Sequence, residues 1–215
     1  MRTFEVSVQA GGVHLSGDLR LPEAALGIVV FVHGSGSSRH SPRNRQVAAA
    51  LERAGLATLL FDLLTVAEET DRANVFDIDL LTRRLLDVTF WVRSRADARD
   101  LRVGYFGAST GAAAALSAAA DPRAQVSAVV SRGGRPDLAG AALERVIAPT
   151  LLIVGGRDEA VLDLNRAAQA RLRCENRLEI VPGSTHLFEE PGALERVAEL
   201  AVAWFTTHLS ATRGE

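Results

Sequence analysis

The sequence predicts an α/β protein, a three-layer α/β/α sandwich on a mostly parallel, eight-stranded sheet that opens with an antiparallel hairpin. Three observations carry this. Two alternating stretches, Thr3–Val8 and Val13–Leu21, flank Gly11-Gly12, which is the signature of a hairpin with one polar face. From Leu26 onward the alternation gives way to six solid apolar runs bounded by Gly, Pro or Asp, as strands buried on both faces require. Helical stretches separate these runs, so successive strands lie parallel and are joined by crossovers.

The six buried strands are expected at Gly27–Val32, Ala57–Phe61, Val103–Phe106, Val126–Val130, Thr150–Val154 and Leu178–Val181. Helices are expected at Ser41–Ala54, Val75–Ser94, Ser109–Ala119, Leu138–Val146, Ala160–Leu172 and Ala193–Leu209. The first opens on Ser41-Pro42, a cap and first-turn pair, and stops before Gly55. Only one short helix fits between the Val126 and Thr150 strands, so no large lid is expected. The acidic, irregular stretch Thr65–Asp77 reads as a small flap or a plain connection. At 215 residues, a single domain over 1–215 is expected.

With 47% hydrophobic and 23% charged residues, the composition is that of an ordinary soluble globular chain. A net charge of −2 gives no reason to expect nucleic acid or an anionic membrane as partner, although every basic residue is arginine. The single cysteine, Cys174, allows no intramolecular disulfide. The N-terminus alternates like a strand and lacks the apolar core of a signal peptide, and no apolar run approaches the roughly 18 residues of a membrane span. The cytoplasm is the expected compartment, and the chain is expected to be a monomer or a homodimer.

In sheets of this kind ligands meet the crevice at the carboxyl ends of the strands. After Val103–Phe106 stands Gly107-Ala108-Ser109-Thr110-Gly111, a G-x-S-x-G pattern between a strand and an Ala-rich helix start. A serine at the apex of so sharp a turn is strained, and side chains two residues to either side would collide with the turn. A serine hydroxyl is a weak nucleophile and needs a base that is itself oriented by an acid. The strand ends supply them in the order Ser109, Asp158, His186. Glu159 and Asp137 compete with Asp158 for the role of acid.

The strand order, the elbow and the Ser…Asp…His order resemble the α/β-hydrolase fold, and the expected lack of a lid is most similar to its dienelactone hydrolase-like members. The resemblance spans nearly the whole chain. More narrowly, Gly107-Ala108-Ser109-Thr110-Gly111-Ala112-Ala113-Ala114-Ala115-Leu116 together with Ser131-Arg132-Gly133-Gly134-Arg135-Pro136-Asp137-Leu138 resembles hydrolases found alone or fused to bacterial phosphoribosyltransferase domains. No segment is expected to remain for such a transferase, so that activity is not carried across. The resemblance implies Ser109 as nucleophile, Asp158 as acid and His186 as base. It also implies an oxyanion hole made by the N–H of Thr110 and an N–H of the loop after the first core strand, expected at Ser35. That loop, His33-Gly34-Ser35-Gly36, departs from the HGGG form.

The remaining candidates concern the substrate. Arg39, Arg43, Arg132 and Arg135 fall at the catalytic edge and read either as a rim for a carboxylate or phosphate or as solvated surface. Arg132 is favoured because Gly133-Gly134 allows close approach. His33 and Leu187 are further candidates for substrate contact, with His33 also suited to shaping the oxyanion loop. Leu63, Leu64, Val75 and Phe76 are expected among the specificity side chains. Asp62 reads as an acceptor for loop amides, His14 and His208 as solvated, and Cys174 as inert. The reaction expected is hydrolysis of a small ester or thioester through an acyl-enzyme, with no metal and no cofactor. The alternatives are a binding or regulatory protein on the same fold, or an acyltransferase or peptidase.

Overall fold

The computed structural model describes residues 1–210, and 211–215 of the expected domain lie outside the described residues. Eight strands form one sheet: β1 (Arg2–Ala10), β2 (Val13–Leu21), β3 (Ile28–Val32), β4 (Ala57–Phe61), β5 (Val103–Ala108), β6 (Val126–Arg132), β7 (Thr150–Gly155) and β8 (Asn176–Val181). Their order across the sheet is β1-β2-β4-β3-β5-β6-β7-β8. β1 pairs antiparallel with β2, and β2 with β4; every later pairing is parallel. The nonconsecutive neighbours β4-β3-β5 place the reversal of strand order beside β3 and β5, where such sheets gather their ligand sites.

The strand residues explain this arrangement. Every residue of β3, β4, β5 and β7 is buried, whereas β1 alternates because one of its faces meets water. Helices α1 (Pro42–Arg53) and α7 (Ala193–Leu209) cover one face, bringing Val47, Leu51, Val197 and Phe205 against Val29, Phe106 and Val130. The other face carries α4 (Ile78–Ser94), α5 (Thr110–Ala119) and α6 (Glu159–Arg171), with Leu85, Val88, Ala114 and Ala168 in its core. The three-layer sandwich expected from the sequence is present. No helix among the described residues is long and apolar enough to cross a membrane.

Two helices differ from expectation. The stretch read as one helix from Val75 is broken at Asp77, which ends α3 (Arg72–Phe76) and caps α4 by accepting the Leu80 N–H at 2.9 Å. Apolar spacing continues across the break, so periodicity alone conceals the cap. The helix expected at Leu138–Val146 is a 3₁₀ stretch, Pro136–Arg145, bent at Gly140 with φ 53. The Thr65–Asp77 stretch holds two short helices, α2 (Val66–Glu69) and α3, and Thr65 and Glu68 form a reciprocal capping box at the start of α2.

Candidate active site

The elbow dictates where Ser109 stands. β5 ends at Ala108 and α5 begins at Thr110, so Ser109 makes the turn alone, at φ 50 and ψ −124. A non-glycine residue holds that conformation only where its surroundings enforce it. Here they do: a β-carbon on Gly111 would lie 2.2 Å from the Val32 carbonyl oxygen, and one on Gly107 would lie 2.5 Å from Ala112 Cα. Serine at a helix N-cap usually accepts a bond from the first turn, yet the Ser109 side chain caps nothing. Its hydroxyl is left uncommitted at the amide end of α5.

The loops that carry Asp158 and His186 are tied to one another. Arg157 N–H donates to the Ser184 carbonyl at 2.9 Å, and Asp158 N–H donates to the Gly155 carbonyl at 3.0 Å. Between them His186 Nδ1 meets Asp158 Oδ2 at 2.7 Å, with the carboxylate more deeply buried than the ring. A carboxylate can only accept, so Nδ1 carries the proton and Nε2 the lone pair. Asp137 is taken instead by Arg135, whose Nε and Nη2 grip its carboxylate at 2.9 and 2.8 Å. Glu159 is the exposed first residue of α6.

No hydrogen bond joins Ser109 to His186 among the described residues. The two are linked through Arg132 and Gly133: Ser109 N–H donates to the Arg132 carbonyl at 3.3 Å, and a β-carbon on Gly133 would lie 3.5 Å from His186 Cε1. Gly133 is legible in the sequence as a point of close approach, and what approaches it is His186.

The oxyanion side is more occupied than expected. Ser35 N–H donates to Thr110 Oγ1 at 3.0 Å, so this candidate donor already has a partner. His33 is buried, and desolvation holds its pKa below the ordinary value, leaving it neutral. Its Nε2 accepts the Leu63 N–H at 3.0 Å and its Nδ1 lies 3.0 Å from the Gly34 carbonyl, to which it donates. Both ring nitrogens are thus spent on backbone. His33 locks the loop after β3 to the loop after β4, in keeping with a role in shaping that loop. Its ring lines a cavity of about 360 Å³ with the 34–38 loop, Leu63, Leu64, Glu69 and Val75.

Asp62 accepts the Arg39 N–H at 2.8 Å and pairs with the Arg39 guanidinium, in keeping with a structural acceptor. Arg132 is buried at 8% exposure, and Leu187 is 40% exposed. His208 packs on Trp204 at 4.5 Å between ring centroids rather than standing free in solvent. Burial raises the Cys174 thiol pKa, which disfavours the reactive thiolate.

No protein-family model matches the chain. A crystal structure described as "Dienelactone hydrolase from Anabaena variabilis" is 56% identical, with a TM-score of 0.93, and the match covers 97% of this chain and 98% of that one. The chain belongs to the dienelactone hydrolase family. This dienelactone hydrolase-like chain also shares its fold with Est1E from Butyrivibrio proteoclasticus, at 17% identity and a TM-score of 0.80. Two curated relatives from strains of Mycobacterium tuberculosis, each called a "Putative phosphoribosyl transferase", are 65% identical over 209 residues. The match takes in 97% of this chain but 47% of each relative, so the chain spans about half the length of the curated relatives it matches. Its fold is that of the α/β-hydrolases.

Proposed function

We propose that the chain is a serine hydrolase that cleaves a carboxylic ester or thioester of a small substrate, with Ser109, His186 and Asp158 as its triad. The observation that carries this is a strained serine whose hydroxyl caps nothing, in a turn joined through Arg132 and Gly133 to a His186–Asp158 pair whose Nε2 is the basic nitrogen. Ser109 Oγ attacks the carbonyl carbon while His186 Nε2 takes its proton. The tetrahedral oxyanion is received by the Thr110 N–H at the start of α5. The Ser35 N–H is the second donor, because a charged oxygen outcompetes the neutral Thr110 hydroxyl for it. Collapse breaks the bond to the alcohol or thiol, which leaves with the proton from His186. Water then attacks the acyl-enzyme by the same route in reverse, releasing the acid and free Ser109. Leu187, exposed and next in sequence to His186, is the side chain assigned to substrate contact.

This reading applies to the part of the Mycobacterium tuberculosis relatives that the chain spans, and a phosphoribosyl transfer forms no part of it. The test is covalent labelling. A fluorophosphonate should add its mass to Ser109 in the wild type and leave Ser109→Ala unmodified. A folded wild type that stays unlabelled overturns the reading and leaves a binding or regulatory role. Product analysis with competing alcohols and amines separates hydrolysis from acyl transfer.

A further inference from the structure

The cavity of about 360 Å³ beside the Ser109 turn has walls of uneven character. One wall is the loop after β3, which carries Ser35, Ser37 and Ser38, and a β-carbon on its Gly34 would lie 2.9 Å from Ser109 Cβ. The other wall is apolar: Leu63 and Leu64 after β4, Val75 on α3 and Leu81 on α4. Its titratable residues are His33, which burial holds neutral, and Glu69, the last residue of α2. Among the described residues no arginine lines it. Glu69 differs from its neighbour Glu68, which pairs with buried Arg84 and closes the capping box with Thr65. No cation among the described residues pairs with Glu69, and the one arginine of the α2–α3 flap, Arg72, lies over the Phe76 ring at 5.7 Å. The flap itself is held in place: Asn74 Nδ2 donates to the Glu68 carbonyl at 3.0 Å, and Asp71 accepts the Ala73 N–H at 2.9 Å. A half-enclosed apolar cavity with one uncompensated carboxylate at its edge attracts a positive group and repels a negative one.

We propose that this cavity takes an ammonium-bearing alkyl chain, with the stem against Leu63, Leu64, Val75 and Leu81 and a protonated primary amine at Glu69. An ammonium offers three N–H donors, which suit a carboxylate and the serine hydroxyls of the 34–38 loop. The volume lies toward the low end of ligand cavities, about 300–1,000 Å³, so it holds one arm of a small substrate. The surroundings say which arm. In the proposed mechanism His186 protonates the leaving group, and no residue of the His186 loop lines the cavity, so the arm that enters it is the acyl chain. The substrate class is then an ester or thioester of an amino-terminated acyl chain. That substrate assignment rests on the serine hydrolase reading; the preference of the cavity for a cation does not.

The test has two arms. In the first, kcat/KM is compared at neutral pH for three p-nitrophenyl esters of equal chain length: the neutral hexanoate, the cationic 6-aminohexanoate and the anionic hemiadipate. Glu69→Gln should lower the cationic-to-neutral ratio by about three- to tenfold, mainly through KM, and Glu69→Lys should turn the preference toward the hemiadipate. Asp71→Asn, on the same flap and still able to cap α3, should keep the wild-type ratio. An unchanged ratio in Glu69→Gln overturns the proposal. An equal fall in Asp71→Asn overturns it too, because the net charge of the flap would then be the cause. In the second arm, which needs no turnover, Ser109→Ala is melted with pentylammonium chloride or sodium pentanoate at constant ionic strength. The ammonium should give the higher Tm, and the gap should close when Glu69→Gln is added to Ser109→Ala. A wild type inactive toward all three esters sinks the hydrolase reading, and the second arm alone then judges the cavity: no gap, or a gap that persists without the Glu69 carboxylate, overturns its preference for a cation.

Discussion

Two arginines are buried on opposite sides of this sheet, and their surroundings differ in kind. Arg84, on α4, is 4% exposed, and two of its three side-chain nitrogens are provided for: Nη1 donates to the Ala10 carbonyl and Nη2 to Glu68 Oε1 at 2.6 Å, while Nε has no acceptor. It ties α2 to the end of β1. Arg132 is buried almost as deeply on the α1–α7 side, and no acceptor in the described chain meets it. Arg84 leaves one side-chain nitrogen without an acceptor and is held by an ion pair, whereas Arg132 leaves two and has no carboxylate among the described residues, and Arg132 adjoins the turn proposed to be catalytic.

The largest test asks whether the region beside Arg132 is the working one at all. Ser109→Ala should lower kcat for a p-nitrophenyl ester by a factor on the order of 10⁵ to 10⁶. A loss below about tenfold would put the nucleophile elsewhere and leave Arg132 beside an idle turn. Asp158→Asn should cost about 10⁴ in kcat, because an amide at that position no longer fixes the Nδ1–H tautomer of His186. An Asp137→Asn variant should leave kcat within about threefold, given that Asp137 is held by Arg135.

The structural side of the comparison is tested by stability. Arg84→Met should lower the unfolding free energy by about 2–3 kcal/mol in urea denaturation, since it strips donors from the Glu68 carboxylate and the Ala10 carbonyl. His33 provides a smaller, pH-dependent effect. Its folded pKa lies below the unfolded value, so the unfolded chain binds the proton first as pH falls. Stability from neutral His33 is therefore complete above about pH 6.5 and is lost below it, at up to about 1.4 kcal/mol per pH unit. Urea melts between pH 7.5 and 5.5 should fall more steeply for wild type than for His33→Gln; parallel curves would show that His33 ionises freely when folded.

Much of this division is legible in the sequence, and the remainder fails for a definable reason. Solid apolar runs place β3 to β7 to within a residue or two, because strands buried on both faces leave no room for polar residues. The elbow reads directly from Gly107 and Gly111, whose absent side chains are a local requirement. What the sequence conceals is competition between partners. Asp137 and Asp158 are equivalent until Arg135 claims one of them. The Ser35 N–H reads as free until the Thr110 hydroxyl, 75 positions away, accepts it. Gly133-Gly134 sets Arg132 apart from the other edge arginines, but that Arg39, Arg43 and Arg135 each find a carboxylate is not written there. Each outcome depends on distances between loops that no pattern of residues encodes.

The smallest effect is also the most discriminating, because its sign is opposite to intuition. Removing a buried arginine is ordinarily destabilising, and for Arg84 it should be. For Arg132 no carboxylate among the described residues offsets the charge, so a methionine of similar length removes a desolvation cost while keeping most of the packing against Phe188. Arg132→Met should leave the unfolding free energy unchanged or raise it by up to about 1–2 kcal/mol, read from the urea midpoint at constant m-value. A loss comparable to that of Arg84→Met would mean that Arg132 has acceptors of its own. The two guanidiniums would then be structural alike, and the contrast between the two sides of the sheet would collapse.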